Sequence, residues 1–522
     1  MHSPLSPRYR PARCCVLLAF LLIGSIAPLQ ARQDEAPSLG FAEGDCPFPE
    51  IENVTCGYLT VPEDRSQPDG NLVELAVAII SPLNDDPDAI PVLYLEGGPG
   101  GSALLGTDSF LSEPIAENHT VILFDQRGTG FSLPSLNCYE LEEDSDADPD
   151  ADPTEACRYR LSEDEGIDLQ QYNSANSAAD AYDLVMALGY DQVALWGISY
   201  GTKLGLTIMR DTPEIVYSAV LDSVYALETD DLTVQITGFL SALNELFDQC
   251  ANDDVCNDAY PTLADDFYTL LDTLDADPVD VDDEGIVTTV DGATLYNMLF
   301  QTFYDTQAIP FLPYGITLMA YAESEEDFTY GYRIVANLEF PIEVEGAPEI
   351  NAPIAESDMV LDYFDQYGQI DDSEGMSNSV DCQEEYQLND ADAAVSIAES
   401  APTPLRSYFV DNITSNLTLC ETWGVQTADL IETERVISDI PTLLLAGSFD
   451  PITPVASAES ALEGLSDGVL LVFPAAGHAI TVAVTDSGAC AKTLMLGFLY
   501  DPSAPLDEAC INATSAIEFY VE

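Results

Sequence analysis

The sequence predicts an α/β fold: a mainly parallel sheet with flanking helices and a large helical segment inserted before the penultimate core strand. Three observations predict it. Up to about residue 225, short β-rich runs alternate with helical patterns, which is how a parallel sheet with crossover helices reads. From about Ala226 to about Arg435 the alternation stops, and the chain turns helical, aromatic-rich and loop-rich. Strand character then resumes at 442–445 and 468–473. An interruption between two strand sets of one sheet is an inserted cap, not a tandem domain. The predicted organisation is therefore a leader at 1–31, a first core part at 32–225, a cap at 226–435 and a second core part at 436–522. No internal repeat is present.

Each core element has its own signal. Residues 73–80 read as an early strand. Residues 91–95 form a buried strand ending at Gly97-Gly98-Pro99-Gly100-Gly101, and 120–124 another ending at Asp125-Gln126-Arg127-Gly128. Residues 177–189 read as a helix: Ser177 and Asp180 resemble a capping box with Asp in the usual Glu place, apolar residues follow at helical spacing, and Gly189 ends it. The next strand, 192–196, runs into Gly197-Ile198-Ser199-Tyr200-Gly201, and 204–209 opens the helix beyond. A further strand is predicted at 218–221.

The N-terminus has the layout of a secretory signal. Arg8, Arg10 and Arg13 precede an apolar run from Cys14 to Ala27, and Leu29-Gln30-Ala31 supplies a small-residue exit. The run is well short of the roughly 20 residues a spanning helix needs, and no later segment is long and apolar enough to span. Cys14 and Cys15 leave with the signal. The remaining ten cysteines fall in near-neighbour couples: Cys46/Cys56, Cys138/Cys157, Cys250/Cys256, Cys382/Cys420 and Cys490/Cys510. An even number suits an oxidising compartment, and pairing within the couples is the simplest connectivity, although spacing alone does not fix it. Without a Cys-x-x-Cys couple, and with only 3 histidines, no metal site is predicted.

Charge narrows the partners. The 522 residues carry 93 acidic and 14 basic side chains, a formal net charge of -79, and Lys203 and Lys492 are the two lysines. Such a surface repels nucleic acid and anionic membranes. The acidic residues are spread widely, with one dense run at 142–152. At molar salt the screening length falls to about 3 Å, which relieves self-repulsion, so the composition points to a salt-rich habitat. An acidic habitat would also mute the charge, but it would leave a histidine base protonated and idle.

A lone Gly-x-Ser-x-Gly is a weak signal, but here it lies between a strand and a helix. A nucleophile elbow needs Gly197 and Gly201 because the turn is strained and brings backbones close. It lifts the Ser199 Oγ above the sheet and aims the Tyr200 N–H at a developing oxyanion. Serine needs a base. His2 departs with the signal and His119 sits at a strand start, where a structural or exposed role fits. That leaves His478, in a loop after the last strand. Asp450, in Gly447-Ser448-Phe449-Asp450-Pro451, follows a strand and precedes His478, completing the chain order Ser, Asp, His of the α/β-hydrolase fold. The Gly97–Gly101 loop stands where the second oxyanion donor belongs, and the Gly98 N–H is assigned that role, with Gly97, Pro99 and Gly100 shaping the loop. The loop lacks the Lys-Ser/Thr ending of a phosphate cradle. The predicted chemistry needs no cofactor.

Together, the glycine loop, Asp125-Gln126-Arg127-Gly128-Thr129-Gly130-Phe131-Ser132 and Gly197-Ile198-Ser199-Tyr200-Gly201-Thr202 resemble the prolyl aminopeptidase and tripeptidyl aminopeptidase group of α/β-hydrolases. The tail from Cys490 through Phe498-Leu499-Tyr500-Asp501-Pro502 to Cys510 resembles the secreted tripeptidyl aminopeptidase branch. One departure is Glu96, where many relatives carry His before the loop. Within such a family Asp125 and Arg127 are expected to pin the loop beside the oxyanion hole, Arg127 as a forked donor to buried carbonyls. The resemblance implies a secreted serine exopeptidase that releases one to three residues, Pro- or Ala-containing sequences among them, from peptides with a free N-terminus. A carboxylesterase with the same triad, and a non-catalytic secreted binding protein, are the alternatives. The aromatic stretch 300–332 is a candidate pocket wall and equally a plain apolar core. The sequons at Asn53, Asn118, Asn412, Asn416 and Asn512 matter only in a glycosylating host.

Overall fold

A computed structural model describes residues 39–84, 89–141, 151–283, 285–338 and 371–522. The expected leader at 1–31, and nearly all of the acidic run at 142–152, lie outside the described residues.

Nine strands form one sheet: β1 (Gly40–Gly44), β2 (Val54–Pro62), β3 (Leu72–Ile80), β4 (Val92–Leu95), β5 (Val121–Phe124), β6 (Val193–Ile198), β7 (Val216–Asp222), β10 (Thr442–Gly447) and β11 (Gly468–Phe473). Their order is β1-β2-β3-β5-β4-β6-β7-β10-β11. The first three pairings are antiparallel and the rest are parallel. β1 and β2 were not expected from sequence.

The central strands read as unbroken apolar runs because helices cover both faces of the sheet. The pleat still sorts them. Leu93, Leu95, Leu195, Leu221 and Leu444 enter the apolar core on one face, whereas Val92, Tyr94, Trp196, Val220 and Leu443 enter the core on the other. On that second face Tyr94, Phe110 and Trp196 meet edge to face with centroids 4.6–5.6 Å apart, a packing worth about 0.5–1.5 kcal/mol per pair beyond burial.

Register brings the functional ends of the strands together. Leu95 faces Gly197, Ile198 faces Asp222, Leu445 faces Asp222, and Gly447 faces Phe473. The chain thus leaves β4, β6, β7, β10 and β11 along one edge of the sheet, the edge where open α/β sheets bind ligands.

Helix α1 (Ser174–Leu188) starts one turn earlier than the sequence pattern suggests. Asn173 is its N-cap and accepts from Asn176 N, while Gly189 closes it in the left-handed region at φ 82°. Ser177 and Asp180 are therefore interior residues, and Asp180 is held by Arg127 and Arg65 instead of capping. Helix α2 (Tyr200–Asp211) follows the serine turn.

Between β7 and β10 the described residues are mostly helical. Helix α3 (Asp231–Asn252) and its neighbours bury a separate apolar cluster containing Phe239, Phe267, Phe303 and Phe409. A short antiparallel hairpin, β8 (Val279–Asp283) and β9 (Ile286–Val290), interrupts the helices. Helix α4 (Glu374–Glu384) belongs elsewhere: Met376, Val380 and Cys382 pack into the core beside the sheet, as do Cys420 and Trp423 at the end of α5 (Arg406–Trp423). Helix α6 (Asp486–Tyr500) covers the opposite face.

Five disulfides join Cys46–Cys56, Cys138–Cys157, Cys250–Cys256, Cys382–Cys420 and Cys490–Cys510, the pairing within couples. Among the described residues no helix is long and apolar enough to cross a membrane.

Candidate active site

Ser199 sits at the sharp turn between β6 and α2 with φ 56° and ψ -125°, a left-handed conformation that a side chain rarely adopts. The strain is held by close backbone contacts that only glycine permits. A Cβ on Gly201 would collide with the Leu95 carbonyl oxygen, and one on Gly197 with the Gly201 carbonyl oxygen. Ser199 N donates to Asp222 O at 3.0 Å, and Thr202 N to Ser199 O at 2.8 Å. The serine thus stands at the positive end of a 12-residue helix.

His478 lies in the loop after β11. Its Nδ1 is 2.8 Å from Asp450 Oδ2, and both groups are buried. Asp450 also accepts from Thr453 N at 2.8 Å and Thr453 Oγ1 at 2.7 Å, so its orientation is over-determined. Burial works against both charges, yet their mutual attraction outweighs it: Asp450 is held below the usual carboxylate pKa and His478 above the usual imidazole value. The Tyr304 ring covers the imidazole at a centroid distance of 4.7 Å.

Asp222, at the end of β7, fixes the histidine loop. It accepts from Ile480 N at 3.1 Å and Thr481 N at 2.7 Å, and from the Thr481 hydroxyl, while Ser223 Oγ accepts from Ala479 N at 2.8 Å. Nothing in the sequence distinguishes this aspartate from the other acidic residues. Its signal is positional: it ends the strand beside the serine strand.

The glycine loop lies against the serine turn, where a Cβ on Gly97 would press on Ile198 O and the Ser199 side chain. Gly98 adopts φ 107°. Among the described residues neither the Gly98 nor the Tyr200 N–H has a backbone acceptor. Asp125 accepts from Ser102 Oγ, Leu104 N and Phe131 N, tying the loop's far end down. Burial raises its pKa to about 7 in spite of those bonds. Arg127 is fully buried, with Nη1 on the carbonyls of Glu63 and Gln171 and Nε and Nη2 forked onto Asp180. The carboxylate partner was not anticipated, and it neutralises a charge that would otherwise be too costly to bury.

Ser199, His478, Gly97, Gly98, Pro99 and Glu96 line a cavity of about 380 Å³. The same cavity is also lined by two further acids, Asp231 from the start of α3 and Asp381 from α4, with Tyr225, Gln235 and Tyr386. Behind them Lys203 is fully buried, its Nζ 3.0 Å from Glu384 Oε2 and in contact with Glu385. Burial alone would lower the lysine pKa, but the two glutamates hold it above the ordinary value and keep the ammonium charged. Lys203 is thus already paired. Asp231 accepts from neutral donors, Gln235 and Tyr225, and Asp381 makes no ion pair among the described residues, although the Lys203 charge attracts both. Burial, followed by repulsion from neighbouring carboxylates, raises the pKa of Asp381 well above the usual range. Burial raises that of Asp231 too.

Two other sequence candidates lie elsewhere. His119 is buried away from this cavity with Nδ1 2.9 Å from Ile90 O. Of the stretch 300–332, Tyr304 faces the cavity, whereas Phe303, Phe311, Phe328 and Tyr332 are buried in the core of the helical segment.

A family model described as alpha/beta hydrolase fold matches residues 90–278, and one described as TAP-like protein matches 406–510. The chain is 24% identical to serine protease Hip1 of Mycobacterium tuberculosis, over 97% of this chain and 99% of that one. It is 31% identical to a tripeptidyl aminopeptidase of Streptomyces coelicolor over 35% of this chain and 37% of the relative. A probable proline iminopeptidase of the same organism is 29% identical over 34% of this chain and 42% of the relative.

Proposed function

Since this chain is a serine hydrolase of the α/β-hydrolase fold, we propose that it is a secreted exopeptidase releasing one to three residues from peptides with a free amino terminus. The observation that carries this reading is the pair of acids that share a cavity with Ser199. Asp231 and Asp381 share one cavity with the nucleophile, and the nearest ammonium, Lys203, is already paired with Glu384 and Glu385. Burial and mutual repulsion disfavour the ionised form of both acids, so a substrate α-ammonium beside them would favour ionisation and form a charge-assisted hydrogen bond that a blocked amine cannot make. The helical segment between β7 and β10 acts as the cap that bounds the cavity.

In this reading Ser199 Oγ attacks the scissile carbonyl while His478 Nε2 takes its proton. Asp450 holds Nδ1 and stabilises the imidazolium. The carbonyl π pair moves onto oxygen, which the Gly98 and Tyr200 N–H groups receive. His478 returns the proton to the leaving amine, and water releases the acyl group by the reverse sequence. Five disulfides fit an oxidising compartment, extracellular or periplasmic.

The test compares one short peptide p-nitroanilide with its N-acetylated twin and with a p-nitrophenyl acyl ester. The reading expects the free amine to be preferred over the acetylated amide by about 10- to 100-fold in kcat/KM. Turnover of esters alone would replace it with a carboxylesterase.

A further inference from the structure

We propose that α4 is a brace that sets the distance between the two oxyanion donors, with Ser377, Glu384 and Lys203 as its positioning residues. This rests on the reading that Ser199 is the nucleophile and that the Gly98 and Tyr200 amides receive the oxyanion. The two amides follow different strands, Gly98 in the loop after β4 and Tyr200 at the start of α2 after β6, and have no backbone bond between them. Pairing of Leu95 with Gly197 sets the two turns side by side, and beyond that pairing α4 touches both of them.

The N-terminal end of the helix holds the glycine loop. Ser373 N donates to Gly100 O at 3.0 Å, Ser377 Oγ donates to Pro99 O, and Asp372 forms a β-bridge with Gly101. Gly100 takes φ 124°, and a Cβ there would strike Asp372, Ser373 and Ser377. The loop therefore packs closely on the start of the helix, against the Ser373 carbonyl and the Asp372 and Ser377 side chains.

The C-terminal end holds the serine helix. Glu384 accepts from Ser174 N at 2.6 Å and Ser174 Oγ at 2.7 Å, and the same hydroxyl meets Tyr200 OH at 2.8 Å. Lys203, one turn along α2 from Ser199, contacts Glu384 and Glu385. The side chains of Lys203 and Glu384 are fully shielded from solvent, and that of Glu385 nearly so. A buried ion pair adds little net stability over an apolar pair of the same shape, but it fixes geometry, since either partner alone would be a buried uncompensated charge. Its placement here ties α4 to the helix that starts at the Tyr200 amide.

The middle of the brace is anchored in turn. Cys382 is bonded to Cys420, and Trp423 Nε1 donates to Ser379 Oγ at 3.0 Å, both tying α4 to α5.

The test measures kcat, KM and the inhibition constant of a peptidyl trifluoromethyl ketone for Ser377→Ala, Glu384→Gln and the triple variant Lys203→Met, Glu384→Gln, Glu385→Gln, which leaves no member of the buried cluster charged. The ketone carbon bonds to Ser199 Oγ, its oxygen takes the π electron pair into the oxyanion hole, and the serine proton goes to His478. Ser377→Ala leaves the buried ions intact and keeps the test valid should the charge variants fold poorly. The brace predicts a kcat fall of about tenfold, a fraction of the 100- to 1,000-fold cost of deleting an oxyanion donor. KM should stay within about twofold of wild type, and ketone affinity should fall in parallel with kcat. A folded Ser377→Ala protein with wild-type kcat and ketone affinity would overturn the brace. Failure of a fluorophosphonate to label Ser199 in the wild type would instead overturn the underlying function, and the brace with it.

Discussion

Replacing Asp381 by Asn removes a group that can ionise against a substrate ammonium in the cavity it shares with Ser199, and leaves its shape. Asp381 has no ion-pair partner among the described residues, so no buried cation is stranded by the change. Turnover of a free-amine peptide should fall by about 10- to 100-fold in kcat/KM, and that of a neutral acyl ester should barely change, as steady-state kinetics on both would show. Equal losses on both substrates would assign Asp381 to structure instead. Asp222→Ala acts on the other side of the site. It removes the acceptor of Ile480 N and Thr481 N and frees the loop that carries His478, so kcat should drop at least tenfold at nearly constant KM. The pH profile follows from the same groups. His478 must be neutral to act as base. Burial opposes its charge, but Asp450 and Asp222 outweigh that, so the acid limb of kcat/KM should lie above about pH 6.5. The substrate amine must stay protonated, so an alkaline limb should appear near the α-amino pKa of about 8. It should vanish with a neutral ester; an alkaline limb common to both substrates would count against amine recognition. At this scale the sequence is legible where a residue type is scarce or a motif is rigid. Three histidines and one flanked serine narrow the search quickly. Asp222, Asp381 and Thr453 carry no such mark, because each is one of many similar residues and acquires its place from partners far along the chain.

At the scale of elements, the Cys382–Cys420 bond closes a loop with a sequence separation of 38. Replacing both cysteines by Ala should cost about 3–4 kcal/mol on chain-entropy grounds, seen as a lower melting temperature. Gly201→Ala should be worse than its single methyl suggests, since its Cβ would meet the Leu95 carbonyl oxygen; loss of fluorophosphonate labelling in a protein that still folds would be the sign of a displaced turn. The core strands are legible because burial on both faces leaves unbroken apolar runs bounded by glycine or aspartate. The start of α1 is not. Ser174, Ser177 and Asn173 all fit a cap, and the choice was made by Asp180, which Arg127 and Arg65 draw into the interior. Helix α4 is obscured for a similar reason. It lies in a stretch of helical composition, yet its apolar face packs beside the sheet through Met376 and Val380. Propensity marks a helix but says nothing of what it packs against.

For the whole molecule the governing quantity is charge. With 93 acidic and 14 basic residues, most surface carboxylates have no counter-ion from the chain. Several of the described cations serve inside, Arg127 on Asp180 and Lys203 on Glu384 among them. Screening should therefore stabilise the fold, with the melting temperature rising as NaCl is raised toward molar levels; a flat or falling curve would contradict this. The same acidity that marks the surface also lines the cavity, where the proposed function has it select for a cation. The most direct measurement of that selection is digestion of one defined peptide, free and N-acetylated, with products read by mass. An amine-selective exopeptidase should give fragments of one to three residues from the free amino terminus, almost none from the acetylated peptide, and none from a Ser199→Ala protein. Internal cleavage, or equal cleavage of both peptides, would contradict it.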